Sequence, residues 1–235
     1  MGSRGGRSHA GGGTQARGYR SASLLARSLG IRLDMASLTA GGINPRYVNE
    51  TLHAVQGIYA EFPVMRGHVK YLDAETRSSR AYASAGGDGG LHMGLYGRWS
   101  ESRLESQWRS DVASGWHPQG TTTAGIFVHE MGHQMEAYLN QRDYNAPWAW
   151  GKTSGRVVLE AAKKVDPTIT SLNTNEAYQL AYGISHYAGS DRNSRTNNWA
   201  VWETLAEAVD DYYENRENAK PLSREIWTIL KKELR

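Results

Sequence analysis

Residues 121–133 read TTTAGIFVHEMGH and contain the pattern His-Glu-x-x-His. The threonines at 121–123 offer side-chain oxygens that can cap a helix, and no proline occurs between Ala124 and Arg142. Apolar residues recur along that stretch with helical spacing, which predicts an amphipathic helix. On such a helix His129 and His133 lie one turn apart on one face, where both imidazoles can reach a single metal ion.

Glu130 follows the first of these histidines and projects towards the same cleft. A carboxylate there can accept a proton from water at the metal, so the pattern predicts a general base beside two ligands. The alternative is a helix with two surface histidines, or with two core histidines that have hydrogen-bond partners. The apolar neighbours Phe127, Val128 and Met131 bury the helix, which disfavours surface histidines.

The composition limits what else the chain can be. With 235 residues it can form one large domain or two small ones with a real core. It has no cysteine, so any zinc must be held by histidine and carboxylate ligands. Eight Trp and thirteen Tyr stand against two Phe, and such amphipathic rings suit cleft walls and interfaces as well as cores. We expect no membrane span and no secretory signal, because no long apolar run is present.

The basic charge is concentrated at the N-terminus. Six arginines and no acidic residue precede Asp34, so the net charge of +3 becomes −3 for residues 34–235. Residues 1–40 are predicted to form a flexible basic tail, disordered to about residue 20 and with a short helix at 21–30, and residues 41–235 to form the domain. A linker or leader, a nucleic-acid-tethering arm and a transit-peptide-like leader remain open for the tail.

The predicted fold class is α+β, mostly helical, with a small N-terminal sheet. Apolar periodicity and caps predict helices at 44–62, 101–112, 124–142, 154–164, 174–186, 198–215 and 221–234. Alternating residues and glycine-rich turns predict strands at 68–72, 80–83 and 91–96. Residues 91–96 come shortly before the histidine helix, which suggests an edge strand for an extended substrate.

A third metal ligand is needed to complete the site. A third histidine six residues after His133 is excluded, because Leu139 occupies that position. The helix from residue 198 offers Glu203, Glu207 and Asp210 on one face instead. This face is either a solvated acidic surface, or it supplies a ligand together with further carboxylates that hydrogen-bond to a ligand histidine and orient it. Small residues beside these acids, among them Ala206, favour the second interpretation.

Three segments together resemble a known family: His129–His133, Ser185-His186-Tyr187-Ala188 and Glu203–Ala208. They are similar to the gluzincin-type zinc endopeptidases, which include the anthrax lethal factor catalytic domain, the Pro-Pro endopeptidases and peptidase domains of phage structural proteins. The resemblance implies a zincin-like domain that holds Zn²⁺ through His129, His133 and Glu203. It also implies that Tyr187 donates a hydrogen bond to the reacting carbonyl oxygen.

Some assignments remain open at this point. Tyr187 lies sixteen residues before Glu203, whereas the family usually places its tyrosine about seven residues before the ligand, so a core tyrosine is an equal alternative. His117 and His92 are further candidates for the cleft, and an ordinary loop or strand histidine is the favoured interpretation of each.

The functional expectation is a zinc-dependent endopeptidase that acts on a protein or peptide substrate. The alternative is a non-enzymatic structural or adaptor protein, such as a virion component, that retains the fold. Virion or assembly partners are expected through the basic tail, as is any nucleic-acid contact. The virion or the bacterial cytoplasm is the location that the phage similarity suggests.

Overall fold

The computed structural model of this chain describes residues 11–75, 81–94, 101–190 and 199–235. The described part is mostly helical with one small mixed sheet, and the predicted α+β class is therefore confirmed. The helices are α1 Gly11–Leu29, α2 Met35–Ala40, α3 Pro45–Glu61, α4 Glu101–Ala113, α5 Gly125–Tyr144, α6 Lys152–Val165, α7 Asn175–Tyr182, α8 Val201–Asn215 and α9 Pro221–Glu233. The strands are β1 Arg32–Leu33, β2 Tyr71–Ala74, β3 Ala83–Ala85 and β4 Gly90–Met93. No helix in these ranges is both long enough and apolar enough to cross a membrane.

The sheet has the order β1-β2-β4-β3, with three parallel strands and an antiparallel edge strand, β3. Strand β4 is an inner strand, so the prediction of an edge strand at 91–96 is wrong. The glycine-rich hairpin turn explains the difference: Gly86 N donates to Gly90 O at 2.8 Å, and the turn folds β3 onto the outer side of β4. Residues 95 and 96 lie outside the described ranges.

The folded body begins earlier than the sequence predicted. Ala22 and Ala26 of α1 are fully buried, and the hydroxyl of Tyr19 donates to the carbonyl oxygen of Ile43. These small residues, one helical turn apart, let α1 lie against α3, and β1 then pairs with β2. The prediction of a flexible tail through residue 40 is therefore wrong for residues 19–40, which pack on the body, whereas residues 1–10 lie outside the described ranges.

Helix α3 follows from its first two residues. Asn44 caps it, since its Oδ1 accepts from Arg46 N at 2.9 Å, and Pro45 occupies the first turn, as predicted.

The threonine cap predicted for α5 is wrong in detail. The N-cap residue of α5 is Ala124, and no side chain caps its first turn; Thr122 Oγ1 accepts only from Ala124 N, at 3.3 Å, before the helix begins.

Close packing of α5 on α8 brings the histidines to the acidic helix. Gly132 makes this possible, because a Cβ at that position would lie 2.6 Å from Ala206 Cα. Both residues are buried at this crossing. The absence of a side chain at Gly132 therefore sets the distance between the two helices.

We expect Gly132→Ala to destabilise the protein. Alanine improves intrinsic helix propensity by about 1 kcal/mol, but overpacking against a backbone atom costs about 1–3 kcal/mol and cannot be relieved by a side-chain rotation. Gly155→Ala in α6 is the matched control, since no described atom outside the local backbone of α6 lies within 4 Å of the added Cβ. Thermal unfolding should show a lower midpoint for Gly132→Ala and a higher one for Gly155→Ala; shifts in the same direction would refute the packing argument.

Candidate metal centre and cleft

His129 and His133 project from the same face of α5, as their spacing predicted. Their Nε2 atoms lie 3.1 Å apart, and the two rings meet edge to face at a centroid distance of 4.8 Å. Both Nε2 atoms point towards α8. The two imidazoles therefore present their outer nitrogens to one point between the helices.

Glu203 of α8 completes this arrangement. Its Oε2 lies 3.2 Å from His129 Nε2 and 3.3 Å from His133 Nε2. Its Oε1 accepts from the indole Nε1 of Trp202 at 3.1 Å, and this bond turns Oε2 towards the histidines. Oε2 is buried without a hydrogen-bond partner among the described residues. Burial raises the pKa of Glu203, but the histidine contacts outweigh it and hold that pKa below its usual range.

These three side chains could hold a metal ion. They are the one group of His, Asp and Glu residues found in the described ranges whose ligand atoms lie within 4.8 Å of one another. The family resemblance implied the same three residues, whereas the acidic face of α8 alone left Glu203, Glu207 and Asp210 open.

Glu207, one turn beyond Glu203, lies behind the first histidine. Its Oε1 is 2.8 Å from His129 Nδ1 and 3.0 Å from His117 Nδ1, and its Oε2 accepts from Ser185 Oγ at 2.7 Å. Burial raises the pKa of Glu207, but the two histidine contacts outweigh it and lower that pKa to about 2. An ionised carboxylate in this position fixes the orientation of the His129 ring and directs Nε2 to the site.

His117 belongs to the cleft, contrary to the favoured interpretation of a loop histidine. It is buried, it stacks on Trp108 with a centroid distance of 4.3 Å, and it shares the carboxylate of Glu207 with His129. No local pattern in the sequence signals this role. The contact joins residues 90 positions apart, and only the fold brings them together.

Tyr187 lies beside the candidate metal ligands. Its backbone N donates to Trp116 O at 3.1 Å, and the preceding His186 N donates to Gly115 O at 2.7 Å. These bonds explain why α7 ends at Tyr182 and not at residue 186 as predicted. The Tyr187 ring stacks on His129 at 5.7 Å. Burial, with the negative charges of Glu203 and the other nearby glutamates, raises the pKa of the phenol, so it stays protonated at neutral pH.

Glu130 directly follows His129 on α5 and faces the cleft. It is 7% exposed, and its Oε2 has no hydrogen-bond partner among the described residues. Burial raises the pKa of this carboxyl, against the opposing effect of His129 and His133. A carboxylate with a raised pKa that opens into a cavity has the properties of a general base.

Two cavities meet at this group. One measures about 320 Å³ and lies on the side of His117; the other measures about 240 Å³ and lies on the side of His133 and Glu203. Both are lined by Ala81, Ala83, His129, Glu130 and Tyr187. The edge strand β3 therefore runs along the cleft, in the position that the sequence analysis had given to residues 91–96.

Asp210 does not act on a ligand histidine. Its two carboxylate oxygens are buried and make no hydrogen bond within the described residues, which contradicts the predicted role of orienting a histidine. It lies beneath the first turn of α5, where a Cβ at Gly125 would come 2.6 Å from Oδ1. Burial, reinforced by the charges of Glu214 and Glu207, raises the pKa of Asp210 well above its usual value. Asp210 lies three residues, nearly one helical turn, beyond Glu207, and this places it past the histidines along α8.

His92 is a strand histidine, as favoured. It lies in β4, and its Nδ1 is 2.7 Å from Asp73 Oδ1 on the neighbouring strand β2. It is not among the three residues that could hold a metal.

Comparisons with protein-family models, with curated protein sequences and with solved structures gave no match to this chain. The geometry of the cleft is therefore the basis for any functional conclusion.

Proposed function

We propose that this chain is a zinc-dependent endopeptidase. The observation that carries the proposal is the convergence of His129 Nε2, His133 Nε2 and Glu203 Oε2 within 3.1–3.3 Å of one another. Beside them lies Glu130, whose Oε2 has no hydrogen-bond partner among the described residues. A core cluster of two histidines and a glutamate would satisfy its polar atoms with hydrogen bonds. Here Glu203 Oε2 lies 3.2 and 3.3 Å from the two Nε2 atoms without the geometry of a hydrogen bond to any described residue, so the three donor atoms face one point.

The donor set fits zinc. Zn–N and Zn–O bonds of about 2.0–2.2 Å in a tetrahedron place neighbouring ligand atoms roughly 3.3–3.5 Å apart. The three distances in this site, 3.1, 3.2 and 3.3 Å, are close to that edge. Two imidazoles and one carboxylate also leave a fourth position open, which is the pattern of catalytic and not of structural zinc sites. When bound, zinc supplies Lewis acidity, which stabilises negative charge on oxygen and lowers the pKa of water.

Glu130 moves the proton. Its carboxylate lines both cavities, so a substrate carbonyl and an attacking water would meet beside it. Glu130 accepts a proton from that water as the water attacks the carbonyl carbon, and then delivers it to the leaving amide nitrogen. The raised pKa suits both transfers, because the base is strong enough to take the proton and the acid strong enough to return it.

Tyr187 and β3 orient the substrate. The neutral phenol of Tyr187 lines the same two cavities and can donate a hydrogen bond to the oxygen that gains negative charge. The outer side of β3 offers backbone N–H and C=O groups along the cleft, so that an extended peptide can pair with it. Backbone pairing of this kind accepts many sequences, which favours an endopeptidase over an enzyme for a single small molecule.

Metal analysis and proteolysis of the purified full-length protein test the proposal together. We expect about one zinc per chain, cleavage of casein or of a mixed peptide library, loss of cleavage with 1,10-phenanthroline, and recovery on adding zinc. A chain without bound zinc would refute the metal site. Stoichiometric zinc without cleavage of any library member would refute the enzyme and favour the structural or adaptor role.

A further inference from the structure

The cavity of about 320 Å³ is an aromatic chamber next to the reacting groups. Its walls include Trp108, Trp116, Tyr82 and Tyr187, with Ile126 at the base of α5. It shares Glu130 and Tyr187 with the smaller cavity, so on the proposed function the two cavities lie on either side of the bond to be cleaved. We call the larger one the aromatic cavity.

Most of the described side chains around the aromatic cavity are aromatic or apolar. Neither Lys nor Arg is among its described lining residues, and the carboxylate of Glu130 opens into it. A flat apolar side chain would stack on the surrounding rings. Trp116 is 45% exposed at the rim, which leaves an entrance for such a side chain.

His117 adds one free polar atom to these walls. The polar tips of two other wall residues are engaged elsewhere: Tyr82 donates its hydroxyl to Asp111, and Trp108 Nε1 lies 3.4 Å from Thr121 O. His117 Nδ1 is held by Glu207, and no described residue hydrogen-bonds its Nε2. Nε2 is therefore the atom that His117 can offer to a ligand in the aromatic cavity.

We propose, on the basis of the endopeptidase function above, that the aromatic cavity selects a tyrosine next to the cleaved bond and that its hydroxyl pairs with His117 Nε2. A hydroxyl is both donor and acceptor, so it can pair with Nε2 whether the ring is neutral or protonated. The Trp N–H can pair only with the neutral ring, and Phe offers nothing to this atom. The aromatic side chains of the wall can pack against Tyr, Trp or Phe, so the preference for Tyr comes from His117.

Matched peptides that differ only in Tyr or Phe beside the cleaved bond test this selection, after a peptide library has located that bond by mass spectrometry. One net hydrogen bond predicts a preference for Tyr over Phe of roughly three- to tenfold in kcat/KM. His117→Asn keeps a donor for Glu207 but lacks Nε2, so the Tyr/Phe ratio should fall to about one. Trp116→Ala is the control, since it should weaken both peptides and leave the ratio unchanged.

Binding separates this inference from the proposed function. The zinc-loaded Glu130→Gln protein should bind the Tyr peptide about three- to tenfold more tightly than the Phe peptide in calorimetry. Cleavage with equal rates for both peptides would overturn the tyrosine preference and leave the endopeptidase intact. If the wild type cleaves no library member, selective retention of Tyr-containing over matched Phe-containing library peptides by the zinc-loaded Glu130→Gln protein would support the cavity and overturn the endopeptidase. Binding of neither peptide to Glu130→Gln would overturn the tyrosine preference, whatever the wild type cleaves.

Discussion

The Glu130→Gln protein is expected to hydrolyse peptides about 10²–10⁴-fold more slowly than the wild type while it still binds zinc. Glutamine has nearly the same shape as glutamate, but its amide cannot take a proton from water at neutral pH. Glu130 lies outside the three candidate ligands, so the metal content should not change. Single-turnover cleavage of a library-derived peptide, together with metal analysis of the same sample, measures both quantities.

The stability of this variant separates a lost base from a lost fold. Glu130 is buried, and one of its oxygens has no hydrogen-bond partner among the described residues, so a neutral amide should cost no more to bury. The zinc-free variant should therefore unfold at the same temperature or higher. Glu136→Gln is the matched control on the same helix. Glu136 Oε1 accepts from Gly151 N and from Ser154 N and Oγ, away from the cleft, and the glutamine oxygen can keep these bonds. The control should retain cleavage; cleavage by Glu130→Gln at a tenth of the wild-type rate or more would contradict the assigned base.

Local periodicity was enough to predict the helices that carry the candidate ligands. The spacing of His129 and His133 fixes their common face on α5, and the acidic face of α8 follows from the i, i+4 spacing of Glu203 and Glu207. The packing of α5 against α8 joins residues far apart in the chain, but small residues in both helices indicate it. Gly132 sits in one helix and Ala206 in the other, and small residues permit a close crossing.

Features that depend on tertiary contacts could not be read from the sequence. His117 reaches the cleft because Glu207 holds its Nδ1, and nothing near residue 117 in the chain indicates that partner. The edge position of β3 depends on which side of β4 the hairpin folds to, and alternation along a strand does not encode strand order. The arginine-rich N-terminal composition predicted a flexible tail. It gave no indication that Ala22 and Ala26 of α1 are buried, because their burial depends on packing against α3.

The Glu203→Ala protein is expected to lose most of its zinc, and Glu207→Ala to lose less. Glu203 supplies the third donor atom, so its removal leaves two imidazoles, whereas Glu207 acts through the orientation of His129. Loss of such an orienting partner typically lowers metal affinity by about 10–100-fold, and loss of a ligand should exceed that range. Competition with a chromophoric chelator, starting from metal-free protein, gives the ranking. A greater loss of zinc in Glu207→Ala than in Glu203→Ala would show that Glu203 is not the third ligand.

Thermal unfolding gives a second measure that does not depend on the chelator. Zinc at about one hundred times its dissociation constant should stabilise the wild type by about 2.7 kcal/mol, because it binds the folded state, and should leave Glu203→Ala nearly unchanged. Asp210→Asn is the matched control from the same helix, since its buried carboxyl makes no hydrogen bond within the described residues. It should respond to zinc like the wild type. If zinc stabilised Glu203→Ala as much as Asp210→Asn, the convergence of the three donor atoms would be a feature of the core and not a metal centre.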